Sequence, residues 1–268
     1  MSRQQFQTPY IHCAVNYEPR FYRDFTCNKR WVSYRVQVES TDLYIRSQNN
    51  EALKVQKQVR ELRSVLIKHM QRQPEFLDSL VPVPRVRGVH PMIMAMYRAA
   101  ESAGTGPMAA VAGAIAQWVG EDLTPRSREV IVENGGDLYL SLQQPGRSTL
   151  YAGDSKFSGA IGLTLHPETT PMAVCTSSGT VGHSYSQGRA DAATIISKDA
   201  CLADAVATGA ANLIDSEEDL EKALDYALGI SGVLGAVLIL GDNLAVKGDV
   251  ELVAIEPEDK YSQKTENR

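Results

Sequence analysis

The stretch from Ala200 to Ile214 limits what this chain can fold into more than any other. It carries one charge, Asp204, among Ala203, Ala205, Ala207, Gly209 and Ala211. Asp199 stands where an N-cap belongs, so 199–214 reads as a helix. Leu202, Val206 and Leu213 occupy one face, while Asp204 and Thr208, four residues apart, share another. A solvated face would carry Lys, Arg or Glu, and none is there. The helix is therefore expected to pack on all sides, with its carboxylate inside. An unpaired buried carboxylate costs on the order of several kcal/mol. Asp204 thus needs an arginine from elsewhere, backbone amides or a cation. A carboxylate and a hydroxyl one turn apart suit a hard cation such as Mg²⁺. Spacing alone does not choose between that cation and an arginine.

A second segment of the same character is GTGPMAAVAGAIAQWVG, 104–120, with Pro107 at a plausible first helical position. Its small residues let another element come close. AAVAGAIA at 109–116 resembles ADAVATGAAN at 203–212, which supports an internal duplication. The rest of the pattern repeats accordingly. Residues 31–47 alternate as a β-hairpin, and Glu51 to Arg72 is an amphipathic helix closed by Pro74. A further helix runs from Pro91 to about Glu101. REVIVENGG and DLYLSL then form two strands about a Gly-Gly turn. In the second half, strands are expected near 148–153, 158–165, 171–176 and 190–197. The helices 199–214 and 216–228 follow, then strands at 233–240, 243–247 and 249–255. Runs of strands and runs of helices argue an α+β fold with mostly antiparallel sheet. The expected divisions are an arm (1–30), two halves (31–145 and 146–256) and a charged tail (257–268). The halves would make one compact unit with a site between them.

Composition excludes several classes. With 43% hydrophobic and 22% charged residues the chain is globular, and its net charge of −5 carries no overall basic footprint for nucleic acid. The basic, aromatic arm reads as packing on its own chain rather than on nucleic acid. Cys13, Cys27, Cys175 and Cys201 show no metal spacing and read as reduced thiols. The first thirty residues show no secretory pattern. The longest apolar run, Ile230 to Leu240, is interrupted by Ser231, Gly232 and Gly235 and falls short of the ~20 residues of a membrane span. A cytoplasmic protein without a membrane partner is expected, as a monomer or an oligomer.

Two loops add candidate chemistry. CTSSGTVGHSYSQG, 175–188, offers hydroxyls and backbone amides of the kind that cradle phosphate, and His183 could move a proton. Segments rich in serine are more often ordinary loops; this one follows directly on the apolar strand 171–175 and shortly precedes the Asp204 helix. In VENGGDLYL, 132–140, a tight hairpin explains Gly135 and Gly136 but explains Glu133 and Asp137 less well. His12, His69, His90 and His166 are scattered and read as structural or surface residues.

Together, ENGGD (133–137), TSSGTVGHS (176–184) and ADAVAT (203–208) resemble the ApbE superfamily, whose best-known members are FAD:protein FMN transferases. GPMAAVAGAIA (106–116) is similar to an uncharacterised branch of it. The resemblance implies a duplicated T-fold-like architecture that binds FAD between the halves, with Mg²⁺ on the pyrophosphate. By the same resemblance Asp204 and Thr208 become metal ligands, with Asp204 and His183 in catalytic roles. Asn134, Gly135, Gly136 and Asp137 would line the flavin slot, with Thr176, Ser177, Ser178, Gly179 and Ser184 beside the cofactor. FMN would pass to a threonine of a protein acceptor. The transferases' Asp-Pro-x-Thr-Gly segment has no counterpart in HSYSQGRADA here. Three readings stay open: FMN transfer, a non-catalytic protein holding a flavin or other phosphorylated ligand, or an accessory factor in sulfur assimilation (homocysteine formation).

Overall fold

The structure, a computed structural model, describes residues 30–179 and 188–255. Its centre is an eight-stranded antiparallel sheet. Four strands come from the first part of the chain: β1 (Val32–Val38), β2 (Thr41–Ser47), β3 (Val130–Asn134) and β4 (Asp137–Ser141). Four come from the second: β7 (Met172–Ser177), β8 (Ala192–Ser197), β9 (Val233–Leu240) and β10 (Asn243–Gly248). They lie in the order β1-β2-β3-β4-β7-β8-β9-β10. Between β2 and β3 run the helices α1 (Ala52–Arg72), α2 (Glu75–Asp78), α3 (Pro91–Ala103) and α4 (Val111–Leu123). Between β8 and β9 run α5 (Ala200–Asn212) and α6 (Asp219–Gly229). The order hairpin, helices, hairpin therefore occurs twice, and the α+β class read from the sequence is the one observed.

The remaining strands, β5 (Gly146–Thr149), β6 (Ile161–Leu165) and β11 (Leu252–Ala254), form a small antiparallel sheet. It covers the face of the large sheet opposite the helices. Alternate residues of the central strands explain the three layers. Val130, Val132, Tyr139, Cys175 and Ile195 join the core under the helices, while Ile131, Leu140, Val174 and Ile196 pack with Leu163 and Leu165. With both faces covered, β3 and β8 are buried along their whole length. The edge strand β1 keeps a one-sided pattern, with Tyr34 and Val36 buried but Ser33, Arg35 and Gln37 exposed.

Several boundaries moved from expectation. The strands expected at 148–153 and 158–165 are shorter, and turns occupy most of 151–160. The last strand shrinks to 252–254. The 104–120 segment begins as a 3₁₀ turn, Pro107–Ala110, before α4. The helix expected from Ser216 starts at Asp219, whose carboxylate accepts the Ser216 amide at 2.8 Å. Among the described residues no helix is long and apolar enough to cross a membrane.

Candidate functional site

The site is built where α4 and α5 touch above the β3–β4 turn. Asp199 caps α5, its carboxylate accepting the Leu202 amide at 3.1 Å. One turn on, Asp204 faces the start of α4. Gly113, in the first turn of α4, donates its amide to Asp204 Oδ2 at 2.8 Å. Only glycine permits this approach: a Cβ on Gly113 would stand 2.2 Å from the Ala200 carbonyl oxygen. The same turn of α4 is held to the sheet by Asn134, whose Nδ2 donates to the Ala112 carbonyl at 3.1 Å. Asn134 ends β3 and pairs across the turn with Asp137, which begins β4 and pairs on its other side with Cys175. Gly135 between them has φ +77, the left-handed conformation that a two-residue hairpin turn requires.

The two carboxylates govern the electrostatics. Asp204 and Asp137 are both buried. Burial above all, and then the charge of Asp137, pushes the Asp204 carboxyl well above the usual carboxylate range, while the amides of Gly113 and Ala112 pull it down. The arginine considered as a partner for Asp204 is not found: among the described residues no Lys, Arg or His forms an ion pair with it. Backbone amides take that place. Thr208, one turn along α5, is half-buried. Among the described residues no group of three or more His, Cys, Asp and Glu could hold a metal by itself. A cation here would have to be completed by hydroxyl, backbone, water or ligand oxygens.

Strand β7 brings the third motif to the same place. The Thr176 amide donates to the Gly136 carbonyl at 3.1 Å, and a Cβ on Gly136 would meet the Thr176 carbonyl oxygen at 2.7 Å. Thr176 Oγ1 pairs with Thr194 Oγ1 at 2.9 Å. Ser177 is buried, and its hydroxyl has no hydrogen-bond partner among the described residues. Ser178 Oγ donates to the Ala190 carbonyl at 3.4 Å, and the Gly179 amide reaches the same oxygen at 2.9 Å. Gly179 also lines a cleft of about 630 Å³ with Gly188, Arg189, Asp191, Asp215 and Asn243. His183 and Ser184 lie outside the described residues.

The structure thus gathers Asn134, Gly135, Gly136, Asp137, Ser177 and Asp204; Thr176 is next to them in β7, but its hydroxyl meets Thr194 on the sheet face away from the helices. Gly113 and Ala112 were not singled out from the sequence, although the small-residue stretch 104–120 was the signal that contained them. Cys175 and Cys201 are fully buried. Burial first, and then the carboxylates around them, pushes both thiols well above their ordinary range. His69 is buried, its Nε2 2.8 Å from the Tyr97 hydroxyl, and His90 caps α3 through Nδ1. Both are structural.

Comparison with known proteins agrees with this architecture. The family model described as AbpE bacteria matches residues 23–252. A UPF0280 protein of Methanopyrus kandleri is 40% identical over 223 residues, covering 81% of this chain and 90% of its own length. A UPF0280 protein of Methanocaldococcus jannaschii is 35% identical over 230 residues, with 83% and 93% covered. Among solved structures, a variant of the flavin transferase ApbE from Vibrio cholerae superposes with a TM-score of 0.53 at 12% identity, covering 81% of this chain and 97% of that one. The flavinyl transferase ApbE of Pseudomonas stutzeri in its apo form gives 0.53 at 15%, with 81% and 94% covered. At such low identity these two show a shared fold. With most of its length matched by the family model and by relatives above 30% identity, the chain belongs to the AbpE bacteria family.

Proposed function

We propose that this protein binds FAD, or a closely related phosphorylated ligand, together with Mg²⁺ at the junction of α4, α5 and the β3–β4 turn, and transfers FMN from it to a threonine of a protein acceptor. The observation that carries the reading is Asp204: a buried carboxylate beside a second one, held by backbone amides and, among the described residues, by no cationic side chain. Such a pair is costly unless one member is protonated or a cation is shared. The donors fit a hard cation, since they are carboxylate and hydroxyl oxygens from Asp137, Asp204 and Thr208. When bound, Mg²⁺ would offset the charge of a pyrophosphate and of the group leaving it.

The chain's own residues do the rest of the work in this reading. Gly113 and Ala112 orient the Asp204 carboxylate through their amides. Gly135 would let the ligand approach the backbone closely, while Gly136 lets β7 do so. Ser177 presents its unpartnered hydroxyl to the ligand, with Thr176, Ser178 and Gly179 beside it along β7 and at its end. The site takes α4 and the β3–β4 turn from the first half, 31–145, and β7 and α5 from the second, 146–256. The ApbE proteins that share the fold are flavin transferases by name. The missing Asp-Pro-x-Thr-Gly segment favours one alternative, a protein that holds the flavin without splitting it.

A titration with FAD, with and without Mg²⁺, tests this by following flavin fluorescence and AMP release. Mg²⁺-dependent binding with AMP release, lost in Asp204→Ala, is the expected result. Binding without AMP release would turn the reading to the flavin carrier. If wild type and Asp204→Ala melt at the same temperature with and without Mg²⁺, no metal binds at Asp204.

A further inference from the structure

The outer face of α1 is unlike the rest of the molecule. From Ala52 to Arg72 it carries Lys54, Lys57, Arg60, Arg63, Lys68 and Arg72 against a single carboxylate, Glu61, in a chain whose net charge is −5. Lys54 and Lys57 are neutralised by neighbouring carboxylates, Glu51 and Glu61. Arg60, Arg63 and Lys68 form no ion pair among the described residues. Their spacing puts them on one side of the helix.

That side faces a concavity of about 470 Å³ between α1 and the β1–β2 turn, lined by Val38, Glu39, Arg60, Arg63, Ile67 and Lys68, with Ser64 and Gln71. Arg63 is held in place, its Nη1 donating to Thr41 Oγ1 at 2.9 Å and Ser40 Oγ at 3.2 Å. The turn itself is built for its position: Glu39 has φ +54, left-handed backbone in a residue other than glycine. Ile67 is 43% exposed on the floor of the depression. The concavity therefore offers three uncompensated cations around a small apolar base, with the Glu39 carboxylate on the rim.

We propose that this concavity and the adjoining face of α1 form a docking surface for a carboxylate-rich segment of a partner protein, with an apolar side chain seated against Ile67 and Val38. Charge complementarity argues for the occupant. The three uncompensated cations, Arg60 to Lys68, span roughly 12 Å at 1.5 Å per residue, more than a single small anion covers. Nucleic acid fits less well, because no aromatic side chain lines the depression for base stacking and the whole chain is acidic. The surface stands independently of any metal or flavin at Asp204.

The test uses the full chain and a fluorescein-labelled peptide of Glu and Asp with one central Leu, followed by anisotropy. Binding is expected to weaken at least about tenfold between roughly 0.05 M and 0.3 M salt, as exposed charge pairs are screened. The double variant Arg60→Glu with Lys68→Glu, both at exposed positions, is expected to lose about tenfold or more in affinity while melting like wild type. A Lys-rich peptide of the same length should not bind. No binding of the acidic peptide, or equal binding to the variant, overturns the proposal. Displacement of the peptide by inorganic phosphate at comparable concentration would make the depression a small-anion site instead. Tighter binding of a single-stranded oligonucleotide would reassign the surface to nucleic acid.

Discussion

Helices α1 and α5 lie on the same side of the eight-stranded sheet, yet they handle charge in opposite ways. In α1 a stripe of Val55, Val59, Leu62 and Leu66 is buried, and nearly all its charge faces solvent. In α5 eleven of thirteen residues are buried, so its one carboxylate has no solvent face to use. A charge on α1 costs little wherever it points outward. The charge on α5 is tolerated only because α4 supplies amides at a distance that a glycine permits. The contrast explains why a carboxylate reads as surface in one helix and as part of a candidate site in the other.

The sharpest way to break the comparison is Gly113→Val. A Cβ there collides with the Ala200 carbonyl, and the amide that holds Asp204 shifts with it. The expected loss is about 3 kcal/mol or more in urea unfolding. A loss under about 1 kcal/mol would mean that α4 and α5 are not locked at this point. On α1 the matching core test is Leu62→Ala, in which a side chain 5% exposed is cut back. It should cost about 2–3 kcal/mol and leave any effect of Mg²⁺ intact.

A smaller effect with the opposite sign is expected for Asp204→Asn in Mg²⁺-free buffer. The folded-state pKa of Asp204 is raised, so its contribution to stability is full below the unfolded value of about 4 and is lost as pH rises through the folded value. Wild-type stability should therefore fall with pH across that range, and the Asn variant should remove the slope. At pH 7 the variant is expected to be more stable than wild type. A Mg²⁺ effect on wild type should grow over the same range, because the cation displaces the proton. An unchanged pH slope in Asp204→Asn would assign it to other groups. Least of all, charge reversal at Arg60 and Lys68 should change stability by no more than about 0.5 kcal/mol, since both are exposed. A larger loss would show that α1 depends on its surface charges for folding.

Much of this was legible in the chain before any fold was seen. The hairpin at 31–47, the helix from 51 to 72 and the Asp199-capped helix appear nearly where periodicity and capping chemistry placed them. Local rules act over a few residues, and those elements obey them. The strands at 148–153 and 158–165 came out shorter because their limits depend on pairing within the small sheet, which closes only when β11 arrives from the far end of the chain. The candidate site divides in the same way. Asp204 and Asp137 stood out as residues in surroundings that did not explain them, whereas a hairpin turn already accounted for Gly135 and Gly136. The partner of Asp204 did not stand out, because Gly113 is 91 residues away and contributes only a backbone amide.

By itself, then, the sequence determined that α5 must be buried on almost every side and that its lone carboxylate must find a partner there. Residue types set the free-energy cost of leaving a charge in such a place, and that cost is local. Only the tertiary structure decided which group answers it: an amide of α4 rather than an arginine, with Asp137 close enough to raise its pKa. A backbone N–H is the same in every residue except proline, so no sequence pattern can distinguish the one that will arrive within hydrogen-bonding distance.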